Sequence, residues 1–197
     1  AVFEAVECGD IVATFDSNSN KVVVAYKRGN NPWYGTSVVG TVSGTSISFG
    51  TVVVFKTATT EKIAATFDSN SNKVVIAYTD GGNSQYGTGI IGTVSGTSIS
   101  YGTAVAFETA RSDFIKATFD SDSNKVVIAY KDYGGSGHGE SVVFSPTTSL
   151  TIAFGFSVLC LSNFIPTILF GLFTALAMII AMIGVLITLP ALMIRFK

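Results

Sequence analysis

The chain reads as an all-β repeat, an incomplete β-propeller-like array with four strands per repeat, followed by a two-helix transmembrane hairpin. Three observations predict this. A word pattern returns every 52 residues, each return is rich in alternating apolar residues, and no charged residue stands from Ser141 to Ile194. The predicted boundary falls near residue 144, giving 1–143 as β-repeat and 144–197 as membrane hairpin.

The repeat comes first, because a period in this range signals a repeat architecture. FDSNSNKVVVAY at Phe15–Tyr26 returns as FDSNSNKVVIAY at Phe67–Tyr78 and as FDSDSNKVVIAY at Phe119–Tyr130. GTVSGTSISFGT at Gly40–Thr51 returns as GTVSGTSISYGT at Gly92–Thr103. Within one unit IAATFD, KVVIAYTD, GIIGTV and SISYGTAVAF alternate or are rich in Val, Ile, Phe and Tyr, as strands are. SNSN, GGNSQYG and SGT separate them and supply the residues tight hairpins need. Four strands in this length match a propeller blade, with a β-solenoid as the second choice. Phe3 aligns with Phe55 and Phe107, so the chain opens in the last strand of a unit. The third unit stays in register through Val143. About two and a half units cannot close a ring, which takes roughly four to eight blades. Further units are therefore expected upstream, with more downstream as an alternative.

Charge divides the chain the same way. All 13 acidic residues lie between Glu4 and Glu140, and every basic residue except Arg195 and Lys197 lies between Lys21 and Lys131. Neither part is basic enough for nucleic acid. Cys8 falls in the polar part and Cys160 in the apolar run, so the two are not expected to pair.

Candidate sites in the repeats are few. Asp16, Asn18 and Asn20, and Asp120, Asp122 and Asn124, have the D-x-N/D-x-N spacing of a calcium loop. Lysine at Lys21, Lys73 and Lys125 occupies the place of the loop glycine, and Glu is missing at the twelfth position. The competing reading is a polar hairpin turn. Trp33, Tyr34, Tyr86 and Tyr133 lie in the loops after the second strand. There they can grip a carbohydrate or protein partner, or pack at a rim. His138 replaces Tyr34 and Tyr86 in register and has no catalytic partner at recognisable spacing. No nucleophile, metal cluster or phosphate loop is recognisable from residue 1 to 143, so neither catalysis nor a cofactor is expected.

The charge-free run is long enough for two bilayer spans, Phe144–Leu161 and Ile168–Ile194, with Ser162–Thr167 as the turn. Small residues along them, including Gly155, Gly171, Thr174 and Gly184, suit helices packed in a bundle. Gly155-Phe156, Ser162-Asn163-Phe164, Pro166-Thr167, Phe170-Gly171-Leu172, Thr174-Ala175 and Leu189-Pro190-Ala191-Leu192 follow one another in this run. Together they make residues 147–197 resemble the last two transmembrane helices of resistance-nodulation-division exporters of the MMPL type. The resemblance implies a membrane-embedded piece of a proton-driven exporter, with the lipid bilayer and other transmembrane helices as partners. Arg195 and Lys197 imply an inner or plasma membrane with the C-terminus cytoplasmic. The proton relay of that family uses acidic residues, and this segment has none. Half a repeat running straight into such a segment predicts a chimeric or truncated chain. The alternative is a β-propeller module, tethered to a membrane or carried on a phage or cell surface, that binds carbohydrate or protein.

Overall fold

The computed structural model describes residues 1–29, 32–145, 173–180 and 182. The chain divides into two units, Ala1–Ser145 and Pro146–Lys197, and each is taken by itself.

In the first unit eleven strands form one antiparallel sheet. β1 (Cys8–Asp16) and β2 (Lys21–Arg28) make a hairpin, and β3 (Tyr34–Ser43) lies on the other edge of β2. β4 (Ser46–Phe49) folds back on the end of β3 across Gly44-Thr45. Gly44 has φ +58°, a conformation tight hairpins require and glycine adopts without steric cost. β5 (Val53–Asp68) then does two things. Its first residues pair with β3, and from Thr60 onward it pairs with β6 (Lys73–Asp80). β7 (Tyr86–Ser95), β8 (Ser98–Tyr101) and β9 (Val105–Asp120) repeat the pattern. β10 (Lys125–Asp132) and β11 (Gly139–Phe144) end it.

The long strands bend at a register shift, where Lys62 in β5 and Phe114 in β9 take left-handed φ values of 53°. Asp10 does the same in β1, at φ 45°. These are β-bulges, which sharpen strand bending. Each bend turns the sheet from one section into the next, so that β5 packs against both β1 and β9 without pairing with either.

The bends explain the core. One cluster joins Val23, Ala25 and Val39 of the first section to Ile63, Phe67 and Ile76 of the second. Another joins Ala64, Val75 and Ala77 of the second to Ile115, Val126 and Ile128 of the third. The VVIAY run of β6 is buried on both faces, as a continuous apolar run requires. In β10 the same letters alternate, with Ala129 exposed. Each Val, Ile or Phe buried this way contributes about 1.5–3 kcal/mol.

Two expectations are corrected. The first is the propeller. Propeller blades are separate four-stranded sheets around a ring. Here β5 and β9 run unbroken from one section into the next, and the sheet is open, with β1 and β11 at opposite ends of the strand order. The second is the transmembrane hairpin. In the second unit the structure describes a helix at residues 173–180, with residue 182 also helical. Most of both expected spans, Phe144–Leu161 and Ile168–Ile194, and the expected turn Ser162–Thr167 lie outside the described residues. Among the described residues no helix is long and apolar enough to cross a membrane. Phe144, expected to open the first span, instead closes β11 and is buried. Its ring lies over Gly89, where a Cβ would come within 2.6 Å of it. These findings overturn the reading as a membrane-embedded exporter fragment with a cytoplasmic C-terminus, and with it the membrane-tethered alternative. Of the expected helix-packing residues, Thr174 lies in the described helical residues, while Gly155, Gly171 and Gly184 lie outside the described residues.

Candidate functional site

The Asp-Ser-Asn-Ser-Asn segments are hairpin turns. Asp16 Oδ1 accepts the backbone N–H of Asn18 at 2.9 Å and of Ser19 at 3.0 Å, and the Ser19 hydroxyl donates to Oδ2 at 2.7 Å. Asp68 and Asp120 repeat the arrangement. Asn20, Asn72 and Asn124 close the turns at φ of 54° to 55°, a conformation Asn tolerates. The carboxylates are thus engaged by their own turns. At Asp120 the Ser123 hydroxyl, then the N–H groups of Asp122 and Ser123, hold the carboxyl below its ordinary range. Asn18, Asp122 and the closing asparagines are exposed. Among the described residues no three His, Cys, Asp or Glu side chains gather in a way that holds a metal. The calcium candidates therefore have the geometry of the competing turn reading.

The loop aromatics fall into two kinds. Tyr34 and Tyr86 are the first residues of β3 and β7 and are half-buried in the ladder. Trp33 and Tyr133 carry cations. Lys27 Nζ lies 5.0 Å from the centroid of the Trp33 ring. Lys131 Nζ and the Arg111 guanidinium lie 4.6 and 5.1 Å from that of Tyr133. Such pairs are worth roughly 0.5–1 kcal/mol where exposed. The β2–β3 and β10–β11 connections are equivalent in the repeat, so both clusters sit at the same end of the strands. His138 is exposed, and its carbonyl accepts the N–H of Asp132 at 2.9 Å.

A second constellation was missed in the sequence. Glu4, Lys56 and Glu108 are repeat equivalents, as are Tyr26, Tyr78 and Tyr130, and Arg28, Asp80 and Asp132. Arg28 pairs with Glu4 and Lys56 pairs with Asp80, so the ion pair changes direction from one repeat to the next. In the third repeat both members are acidic, and Glu140 adds another carboxylate near the Tyr130 hydroxyl. Aligning charges across the repeats reveals this exchange. Burial pushes the pKa of Glu4 up, but the Arg28 guanidinium, two backbone N–H groups and the Tyr26 hydroxyl together hold it below the usual carboxylate range. The tyrosines move the other way. Burial, then neighbouring carboxylates, pushes Tyr26, Tyr78 and Tyr130 up.

The exchange leaves a trace on Tyr78. Tyr26 donates to Glu4 and Tyr130 to Glu108, whereas a lysine at position 56 cannot accept. The Tyr78 hydroxyl is buried with no hydrogen-bond partner among the described residues. Leaving such a group unmade costs about 1–3 kcal/mol. Tyr78→Phe is therefore expected to raise stability by about 1 kcal/mol and Tyr26→Phe to lower it by about as much, read from urea midpoints. Equal losses for both would contradict this.

A shallow cavity of about 570 Å³ opens on the third section, lined in part by Phe114, Ala129, Tyr130, Lys131 and Glu140. Compared with known proteins, the chain matches no family model and no curated protein.

Proposed function

We propose that the unit Ala1–Ser145 is a non-catalytic binding module that takes an acidic protein segment at the end of the sheet bearing Trp33 and Tyr133. The observation that carries this reading is the seating of Lys131 on Tyr133; Arg111 on the same ring and Lys27 on Trp33 already pair with Asp113 at 3.0 Å and Asp10 at 3.3 Å, so an incoming carboxylate competes there with the chain's own. A cation over an aromatic face offers a carboxylate both charge and an apolar platform. A neutral sugar needs the ring face bare for stacking, so the cations favour protein over carbohydrate.

Trp33 is the only tryptophan, which makes its fluorescence a local reporter. Titration with a polyglutamate peptide is expected to change that emission with an affinity that falls as salt rises, and Lys27→Gln with Lys131→Gln is expected to abolish the change. Response to neutral oligosaccharides with none to the peptide would reverse the choice of partner. Silence to both would remove the reading.

A further inference from the structure

Both cation-bearing aromatic rings already have a carboxylate of the chain itself on their cations. At the first, Asp10 Oδ2 lies 3.3 Å from Lys27 Nζ, and Lys27 lies over Trp33. The same oxygen accepts the N–H of Lys62 at 3.0 Å, which fixes the carboxylate in place. At the second, Asp113 Oδ2 accepts from the Arg111 guanidinium at 3.0 Å, and Arg111 lies over Tyr133. These two acids are not repeat equivalents. Asp113 aligns with Gly9, and Asp10 aligns with Phe114. Gly9 faces Lys27 across the ladder as Asp113 faces Lys131. A Cβ on Gly9 would stand 2.8 Å from Lys27 Cε, so the Lys27 stem fills that place and the acid comes from the next residue, inside the bulge. The middle section has no such ring. Thr79 stands in the place of Lys27 and Lys131, Gln85 in that of Trp33 and Gly81 in that of Tyr133. Its bulge residues Glu61 and Lys62 form no ion pair among the described residues. A paired carboxylate thus accompanies each ring, from a different position each time, and is missing where the ring is missing.

Resting on the acidic-segment reading above, we propose that Asp10 and Asp113 determine the specificity of these two places: they refuse an isolated carboxylate and admit a segment that brings several in succession. A carboxylate tethered beside its cation acts at a high effective concentration. Exchanging it for one that arrives from solution gains no new pairing of charges and leaves two carboxylates side by side. A run of acidic side chains has more to gain. It reaches Lys131, which forms no ion pair among the described residues, as well as the cations already paired. An ion pair between exposed groups is weak, so a run of charges displaces the chain's own carboxylate where a single charge does not.

The test uses the whole chain and two peptides of equal length, polyglutamate and a glycine-serine peptide with one central glutamate. Calorimetry is expected to show wild type binding the first far more tightly than the second. Asp10→Asn with Asp113→Asn removes both charges, keeps the side-chain shape, and leaves an oxygen for the Lys62 N–H. This double variant is expected to bind the single-glutamate peptide about fivefold more tightly than wild type does. Polyglutamate should gain less, so the ratio of the two affinities falls. Thermal unfolding checks that the variant folds. If it does not, Asp10→Asn alone, read by Trp33 emission, takes its place with the same expected fall in ratio. Polyglutamate that binds with an unchanged ratio, or a wild type that takes both peptides equally, would overturn the role of Asp10 and Asp113 and leave the acidic-segment reading standing. Polyglutamate that binds neither protein would overturn both.

Discussion

Gly50→Ala is expected to destabilise the first unit by about 3 kcal/mol or more, while Gly102→Ala, the same change one repeat later, is expected to leave stability unchanged or raise it by up to about 1 kcal/mol. Both glycines follow an SISF or SISY strand, and both donate their N–H to a carbonyl of the preceding long strand, Val39 or Ile91. Neither has a left-handed φ. The difference lies in what approaches them. A Cβ on Gly50 would stand 1.8 Å from the carbonyl oxygen of Thr97 and 2.8 Å from its carbon. Thr97 is in the turn between β7 and β8, so the obstacle is backbone of the next section and cannot swing away like a side-chain tip. A Cβ on Gly102 would meet only the Ile91 oxygen, at 3.9 Å. Urea titrations of the two variants decide it, and equal midpoints would show that the sections do not approach this closely.

Ile115→Ala is expected to cost about 3 kcal/mol, and Ile11→Ala less than about 1 kcal/mol. The residues are equivalent and both follow a bulge. Ile115 is sealed between the second and third sections with Ala64, Val75 and Val126. Removing its side chain leaves a cavity that strands on both sides are too rigidly paired to fill. Ile11 already faces solvent, so shortening it empties nothing. Thermal unfolding of both variants, each against wild type, tests the contrast. A large loss from Ile11→Ala would place that residue under cover.

How far the sequence carried the fold can be judged from particular stretches. KVVVAY, KVVIAY and KVVIAY are strands because β-branched and aromatic residues suit a pleated surface. The polar words before them are turns because Asp binds the backbone ahead and Asn accepts a left-handed φ. Both effects act over a few residues, which is why they show in the letters. SISYGTAVAF, and the counterpart of IAATFD that follows it, were harder. They read as separate strands, yet the chain breaks inside the first, between Tyr101 and Val105, and then runs unbroken to Asp120. Whether a strand stops or continues depends on which neighbours offer it hydrogen bonds, and those neighbours are distant in sequence.

The candidate sites divide along the same line. The aromatics were visible as residues, but the lysines and arginine seated on them were not, because Arg111 meets Tyr133 across two strands. The orphaned Tyr78 hydroxyl, too, needs position 56 brought beside position 78. The apolar run after Ser141 misled in the opposite sense, since hydropathy alone assigned Phe144 to a membrane span while the fold uses it to cover Gly89.

By itself, then, the sequence determined the repeat, its turns and the alternation that makes strands, because these follow from backbone preferences and side-chain period within a few residues. Only the tertiary structure decided that the sections join into one open sheet, that Gly50 is confined while Gly102 is free, and that equivalent isoleucines are buried in one section and bare in another. Burial and hydrogen-bond satisfaction are properties of pairs of surfaces, and identical repeats meet different surfaces according to their place in the stack.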